Sequence, residues 1–149
     1  MLTVTINNVS AGVLSQTQTI CSGGNPAAFT ATTAATGTGA LSYQWQSSTT
    51  SNIAGFTNIA GATSATYDAP SGLTTTTYYQ VISTSTLNSV PCSATSNGIT
   101  VTINNVSAGA LSQTQTICSG GDANPFSVTT AATGTVSYTH LTLPTKRIV

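Results

Sequence analysis

The histidine and the basic side chains are few, and all of them lie in the last dozen residues of the chain. His140 is the only histidine, and Lys146 and Arg147 are the only basic residues. A nucleophile that is activated by a histidine also needs an orienting acid and a formed pocket. Glutamate is absent from the sequence, so that little remains to complete such a set. We therefore predict no catalytic residues and do not expect an enzyme.

Acidic side chains able to bind a metal ion are equally few. Asp68 and Asp122 are the only two acidic residues. A calcium ion takes six to eight oxygen ligands, usually from several carboxylates, whereas these two aspartates lie in different parts of a repeated sequence. Each is better explained as a turn or loop residue. We predict no metal site and no cofactor.

Composition limits the classes of partner. Charged residues make up 3% of the chain, against about 25% in a typical soluble protein. Clustered Lys and Arg, which phosphate binding needs, are absent, which argues against nucleic acid. No apolar run approaches the roughly 20 residues of a spanning helix, which argues against membrane insertion. Thr, Val, Ile and Tyr favour strands, and 13 Gly with 5 Pro supply turns, so an all-β fold is predicted.

An internal repeat sets the organisation of the chain. Residues 4–24 and 101–121 differ only at Val13 and Ala110, which gives an offset of 97 residues. That period has the length of a small β-sandwich domain and indicates a tandem array in which neighbouring repeats are partners. Four segments are predicted: the last strand of a preceding repeat (1–10), a complete domain (11–105), the truncated start of the next repeat (106–135), and a tail (136–149).

Strands of the complete domain are predicted from period-two alternation of apolar and polar residues. Besides the segments that carry the core residues named below, candidate strands lie at 14–20, 27–33, 56–59 and 64–68. About seven short antiparallel strands in under 100 residues suggest a sandwich. The side chains that should face its core are Leu41, Tyr43, Trp45, Tyr79, Val81, Ile99, Val101 and Ile103.

Four segments carry a resemblance to a known family: ICSGG, YQWQ, ATYDAPSGLTTTTYYQV and PCSATSNGITVTI. They resemble the Ig-like repeats of very large secreted surface proteins of Bacteroidetes, among them gliding-associated and adhesin-like proteins. The resemblance covers residues 1–135. It implies an Ig-like β-sandwich that acts as a spacer, stalk or adhesive unit, outside the cell or at its surface, without catalysis.

The tail has a different resemblance. VSYTHLTLPT at 136–145 is similar to the conceptual translation of a transposon-derived adapter used in shotgun DNA libraries. The repeat gives independent support, because the first copy continues after AATGT with GALSYQWQ and the second continues with VSYTHLTL. We therefore interpret 136–149 as non-native and give its residues no functional weight.

The cysteines follow from the secreted context that the resemblance implies, because secreted domains keep their cysteines paired. A disulfide between Cys21 and Cys92 is predicted, and in the loop-entropy model it stabilises by roughly 4 kcal/mol. Cys118 is the copy of Cys21, and its partner falls beyond the end of the chain. It is therefore predicted to be unpaired by truncation. The competing pairing, Cys92 with Cys118, would join neighbouring units.

A second function remains open at this point. The domain is alternatively a carbohydrate-binding module that uses Trp45 and the 47–55 loop, SSTTSNIAG. Trp45 is better explained as a core residue, because a small sandwich needs one large aromatic anchor. Surface glycans or proteins are the partners that this alternative would add.

Overall fold

The computed structural model describes residues 1–111 and 114–134. The predicted tail, 136–149, lies outside the described residues, and so do His140, Lys146 and Arg147. The chain divides into two compact units, Met1–Asn104 and Asn105–Val149.

The first unit is built from strands alone, which confirms the all-β prediction. Its main sheet has the order β3-β10-β8-β6-β7, with β9 also paired to β8, and the small sheets β2-β4 and β1-β5 stand beside it. The strands are β1 (Val9–Ser10), β2 (Val13–Leu14), β3 (Gln18–Cys21), β4 (Ala31–Thr33), β5 (Thr36–Gly37), β6 (Ala40–Ser48), β7 (Thr57–Asn58), β8 (Thr77–Leu87), β9 (Val90–Thr95) and β10 (Ile99–Asn104).

Strand β8 is the spine of the main sheet. Along one side it pairs antiparallel with β6 over nine residues, from Ala40 opposite Thr86 to Ser48 opposite Tyr78. Its side chains alternate between buried and half-buried positions from Thr77 to Ser85, the pattern of a strand with one face toward the core.

On its other side β8 meets two strands in succession, first β10 and then β9. A short irregular segment around Asn97 separates these two strands. Leu14 N donates to Asn97 Oδ1 at 2.9 Å, and Asn97 Nδ2 donates to Leu14 O at 2.7 Å. At this interruption Asn97 leaves the strand ladder, and its side-chain amide binds β2 to the main sheet.

More strands are present than the seven that the sequence predicts. The segment 14–20, predicted as one strand, is divided because β2 pairs with β4 whereas β3 pairs in parallel with β10. The segment 64–68 forms only an isolated bridge, between Tyr67 and Phe29. Period-two alternation locates extended segments, but it does not show where a strand leaves one sheet for another.

The core lies between the main sheet and the layer that carries Leu14, Phe29 and Tyr67. Of the eight predicted core residues, Leu41, Tyr43 and Ile103 are partly buried, and the other five are buried: Trp45, Tyr79, Val81, Ile99 and Val101. Phe29 is fully buried and was not among the predicted core residues. Its segment, AAFTATT at 27–33, holds no second large apolar residue with which Phe29 could form an alternating pattern.

The second unit repeats the local structure of the first. Its strands β11 (Ala110–Leu111) and β12 (Val128–Thr130) pair as β2 and β4 do, 97 residues earlier. The Ser107–Thr133 bridge likewise repeats the pairing of Ser10 with Thr36. Phe126, the copy of the fully buried Phe29, is 61% exposed. The repeated sequence thus makes the same backbone pairings without covering the same side chain.

Replacing Trp45 with alanine should be severely destabilising, because the side chain is 0% exposed and its Nε1 donates to Ser64 O at 2.9 Å. We expect a loss of about 3 to 5 kcal/mol of unfolding free energy, measured by urea denaturation with far-UV circular dichroism. Ile53→Ala is the control, since Ile53 is 87% exposed and should change stability by less than about 0.5 kcal/mol. Equal effects of the two substitutions would contradict the assignment of Trp45 to the core.

Candidate functional site

The candidate site lies at the end of the first unit where the β8–β9 hairpin turns. Leu87 pairs with Val90, so Asn88 and Ser89 form a two-residue turn. Both have positive φ, 50° and 64°, as a type I′ turn requires. The turn keeps β9 close beside the end of β8 and places the carbonyls of Ser85 and Val90 near each other.

Asn7 is bound to this hairpin by its side chain. Asn7 Nδ2 donates to Ser85 O at 2.7 Å and to Val90 O at 2.8 Å. Ser85 Oγ donates in return to Asn7 Oδ1 at 2.8 Å. Ser85 is fully buried, so this amide satisfies a hydroxyl that water does not reach. The side-chain amide thereby fixes the incoming chain to two strands at once.

The residues after Asn7 continue this attachment through the backbone. Asn8 N donates to Thr38 Oγ1 at 3.0 Å, and Thr38 N donates to Asn8 O at 3.0 Å. β1 then pairs antiparallel with β5, with Val9 opposite Gly37. A Cβ on Gly37 would lie 2.7 Å from Ser85 Cβ and Oγ, so only glycine permits this close approach. We call Asn7–Ser10 the strap.

A cleft of about 390 Å³ opens beside the strap. One wall belongs to the N-terminal segment, through residues 3 and 5–7, and the other to the hairpin. The hairpin residues that line it are Leu87, Asn88, Val90 and Cys92. We call this space the junction cleft. It brings one of the three cysteines next to the strap.

The N-terminal segment exposes the side chains that its copy buries. By the 97-residue offset, residues 2–7 correspond to β10, Ile99–Asn104. Leu2 and Val4 are 96% and 84% exposed, whereas their copies Ile99 and Val101 are 2% and 0% exposed. The two segments have nearly the same sequence, so the difference arises from what surrounds them. Residues 2–7 lack the β3 and β8 neighbours that cover β10.

The predicted disulfide between Cys21 and Cys92 is wrong for this fold. Both are free thiols. Cys21 lies beside Asn104, three residues past Val101, which is opposite Thr77. Cys92 lies opposite Ser85, eight residues further along β8. At about 3.3 Å per residue the two are roughly 35 Å apart along the sheet, whereas a disulfide needs Cα atoms within about 7 Å. Cys118 is also a free, exposed thiol.

Trp45 does not form a sugar-binding platform. Its ring is fully buried and stacks 5.6 Å from Tyr67 and 6.2 Å from Phe29, measured between ring centroids. The 47–55 loop is closed by its own hydroxyls: Ser48 Oγ donates to Ala54 O at 2.8 Å, and Ala54 N donates to Ser51 Oγ at 3.0 Å. The residue on which the carbohydrate alternative depends is therefore part of the core.

The aromatic cluster also changes an acid–base property. Tyr79 packs 5.0 Å from Phe29 and 5.9 Å from Tyr67. Burial, and to a lesser degree the neighbouring Tyr67, raises the pKa of Tyr79 to about 12. Burial and the nearby Asp68 raise the pKa of Tyr67 as well. Both phenols therefore keep their protons to a higher pH than an exposed tyrosine does.

Residues 1–111 and 114–134 contain no group of three or more His, Cys, Asp or Glu side chains placed to hold a metal ion. Over the same residues, no helix has the length and apolar character that would let it cross a membrane.

Comparison with known proteins identifies a family. Residues 10–105 match the model described as a domain of unknown function, DUF8696. The chain belongs to this family. The matched segment is 96 residues long, close to the 97-residue period of the repeat. No curated protein matches the chain, and no solved structure matches it either.

Stability should fall at alkaline pH because of Tyr79. Its pKa is raised in the folded state, so as the pH passes about 10 the unfolded chain loses the phenol proton while the folded chain keeps it. The free energy of unfolding should therefore decrease between about pH 10 and pH 12. Urea denaturation at several pH values measures this, and Tyr79→Phe should flatten the dependence. Tyr78→Phe leaves Tyr79 in place and should preserve it; an unchanged slope in Tyr79→Phe would contradict the assignment.

Removing the Asn7 amide should loosen the strap. Asn7→Ala breaks three hydrogen bonds and leaves the buried Ser85 hydroxyl without its acceptor, so we expect a loss of about 1 to 3 kcal/mol of unfolding free energy. Trp45 fluorescence during urea denaturation reports on this unit. Thr5→Ala, in the same segment and exposed, is the matched control and should stay near wild type. A loss from Thr5→Ala as large as that from Asn7→Ala would show that the amide has no special part.

Proposed function

We propose that this chain is a non-catalytic, Ig-like repeat module of a secreted or cell-surface protein, and that it serves as a spacer whose number of copies sets the reach of the array. The observation that carries the proposal is the exposure of Leu2, Val4 and Ile6, whose copies in β10 are covered by neighbouring strands. Residues 2–7 are then the last strand of a preceding module.

The second unit supports a serial arrangement. Gln115 Nε2 donates to Asn124 O at 2.8 Å, as Gln18 Nε2 donates to Ala27 O at 2.8 Å in the first unit. Its Phe126 and Leu111 are exposed, whereas their copies Phe29 and Leu14 are buried. These residues are therefore interpreted as the opening of another module.

The strap supports a stiff junction. Asn7 corresponds to Asn104, the last residue of β10. The residue that ends the strand of one module would therefore be the residue bound to the next module, through Ser85 and Val90. No flexible linker residue separates the two attachments. Such a junction limits bending between modules and lets the length of an array grow with its copy number.

The order of strands supports the Ig-like assignment. β6 lies next to β8 and β8 lies next to β10, which is the order of strands C, F and G in an Ig domain. Trp45 is buried on β6, as the core tryptophan of an Ig domain is buried on strand C. Phe29 and Tyr79, with ring centroids 5.0 Å apart, join two layers of the core, as the inter-sheet disulfide does in an antibody domain.

The composition fits a repeated spacer. The chain has only two acidic and two basic residues, and both basic residues belong to the tail that we interpret as non-native. Neighbouring copies would therefore have no opposite charges through which to attract one another. Contacts between copies must then come from strand ends, amides and hydroxyls, which is the chemistry of the strap.

Small-angle X-ray scattering tests the proposal. The full chain is extended at its N-terminus by one, two or three copies of the repeat. The copy next to the chain ends at its residue 97 and is followed directly by Met1, so that residues 2–7 complete it. The maximum dimension should rise by an equal increment with each copy. The Asn7→Ala change, introduced at every junction, should broaden the distance distribution, whereas Thr5→Ala should not. A compact particle whose maximum dimension does not follow copy number would contradict the spacer function.

A further inference from the structure

We propose that Cys92 forms a disulfide with the cysteine of the preceding module that corresponds to Cys21, so that each junction of the array is closed by a covalent bond. This inference rests on the proposed serial array. It replaces the pairing within one domain, which the fold does not permit.

The first step places the cysteine of the preceding module. In the first unit, β3 runs parallel to β10 with Cys21 opposite Asn104. Asn7 is the copy of Asn104. In a preceding module the corresponding cysteine therefore lies beside Asn7, at the spacing of adjacent strands, about 4.8 Å.

The second step places Cys92 near the same residue. The side chain of Asn7 exchanges hydrogen bonds with Ser85, and Cys92 is the register partner of Ser85 on β9. Register partners on neighbouring strands project to the same face of a sheet. Cys92 also lines the junction cleft together with Asn7. The two thiols therefore approach Asn7 from different modules.

The third step concerns the space between them. The junction cleft separates the segment 3–7 from the hairpin that carries Cys92, and its volume is about 390 Å³. In an array, the strand of the preceding module that corresponds to β3 would pair with residues 2–7, as β3 pairs with β10. That strand would lie in the space beside residues 2–7. Cys21 itself is exposed at the end of the first unit from which β10 departs. Each module thus offers one thiol at each of its two ends, as a chain of end-to-end links requires.

The chemistry is an ordinary thiol oxidation. The two thiols lose two protons and two electrons and form one S–S bond, and a low-molecular-weight disulfide such as oxidised glutathione accepts them and becomes two thiols. The exchange proceeds through a mixed disulfide on one cysteine, which the second thiolate displaces. A secreted array meets such oxidising conditions outside the cell.

The experiment uses the full chain preceded by one copy of residues 11–97, so that residues 2–7 complete the added module. Three two-cysteine variants are compared, with serine at every other cysteine: the added copy of Cys21 with Cys92, Cys21 with Cys92, and Cys92 with Cys118. Each is incubated with oxidised glutathione under native conditions. Accessible thiols are then alkylated under denaturing conditions, and the intact mass is measured.

We expect the first variant to lose both thiols to a disulfide, and the other two to keep alkylatable thiols or single glutathione adducts. When the first variant is oxidised in urea instead, it should form no more disulfide than the other two variants do. A disulfide in the second or third variant, or none in the first, would overturn the proposed pairing.

Small-angle scattering of the reduced five-cysteine protein distinguishes failure of this inference from failure of the proposed function. If the two modules are extended but the first variant forms no disulfide, only the covalent link is rejected. If the particle is compact, the array itself is rejected.

Discussion

The packing of Trp45 against Phe29 and Tyr67 is the interaction on which the rest of this domain depends. Tyr79 completes the cluster from β8, the strand that pairs with β6, β9 and β10. Once the rings are buried, the inward face of β8 is fixed, and the register of every strand beside it follows. The position of the β8–β9 hairpin, and with it the strap and the junction cleft, is a consequence of that register. Because the domain has so few charged residues, ion pairs contribute little to selecting one arrangement of the strands.

The sequence was sufficient to predict the fold class and much of the core. Alternation in LSYQWQ and in ITVTI placed Trp45, Ile99 and Val101 correctly, because a half-buried strand imposes a period of two. It did not predict that Asn97 would interrupt the last strand, or that the chain would change sheets between β2 and β3. Both features depend on partners distant in the sequence, and local pattern contains no information about those partners.

The candidate site was less accessible from the sequence, for a related reason. Cysteine pairing was argued from cellular context and loop length, whereas the decisive quantity is the position of each cysteine along the sheet. Cys21 on β3 and Cys92 on β9 lie toward opposite ends of β8, which no count of intervening residues reveals. Asn7 was predicted only to belong to the last strand of a preceding repeat, 1–10. Its amide became significant only when the carbonyls of Ser85 and Val90 were placed beside it.

The identity of two segments has a consequence for how such an array folds. Residues 3–8 and 100–105 have the same sequence, TVTINN, and one of them occupies the place between β3 and β8. Either segment presents the same side chains to that place, so exchange of the two costs little in contact energy. Strand exchange between neighbouring copies, the mechanism of domain swapping, is then opposed mainly by chain connectivity and by the order of synthesis. Near-identical repeats therefore make correct folding of the array depend on each module closing before the next has emerged.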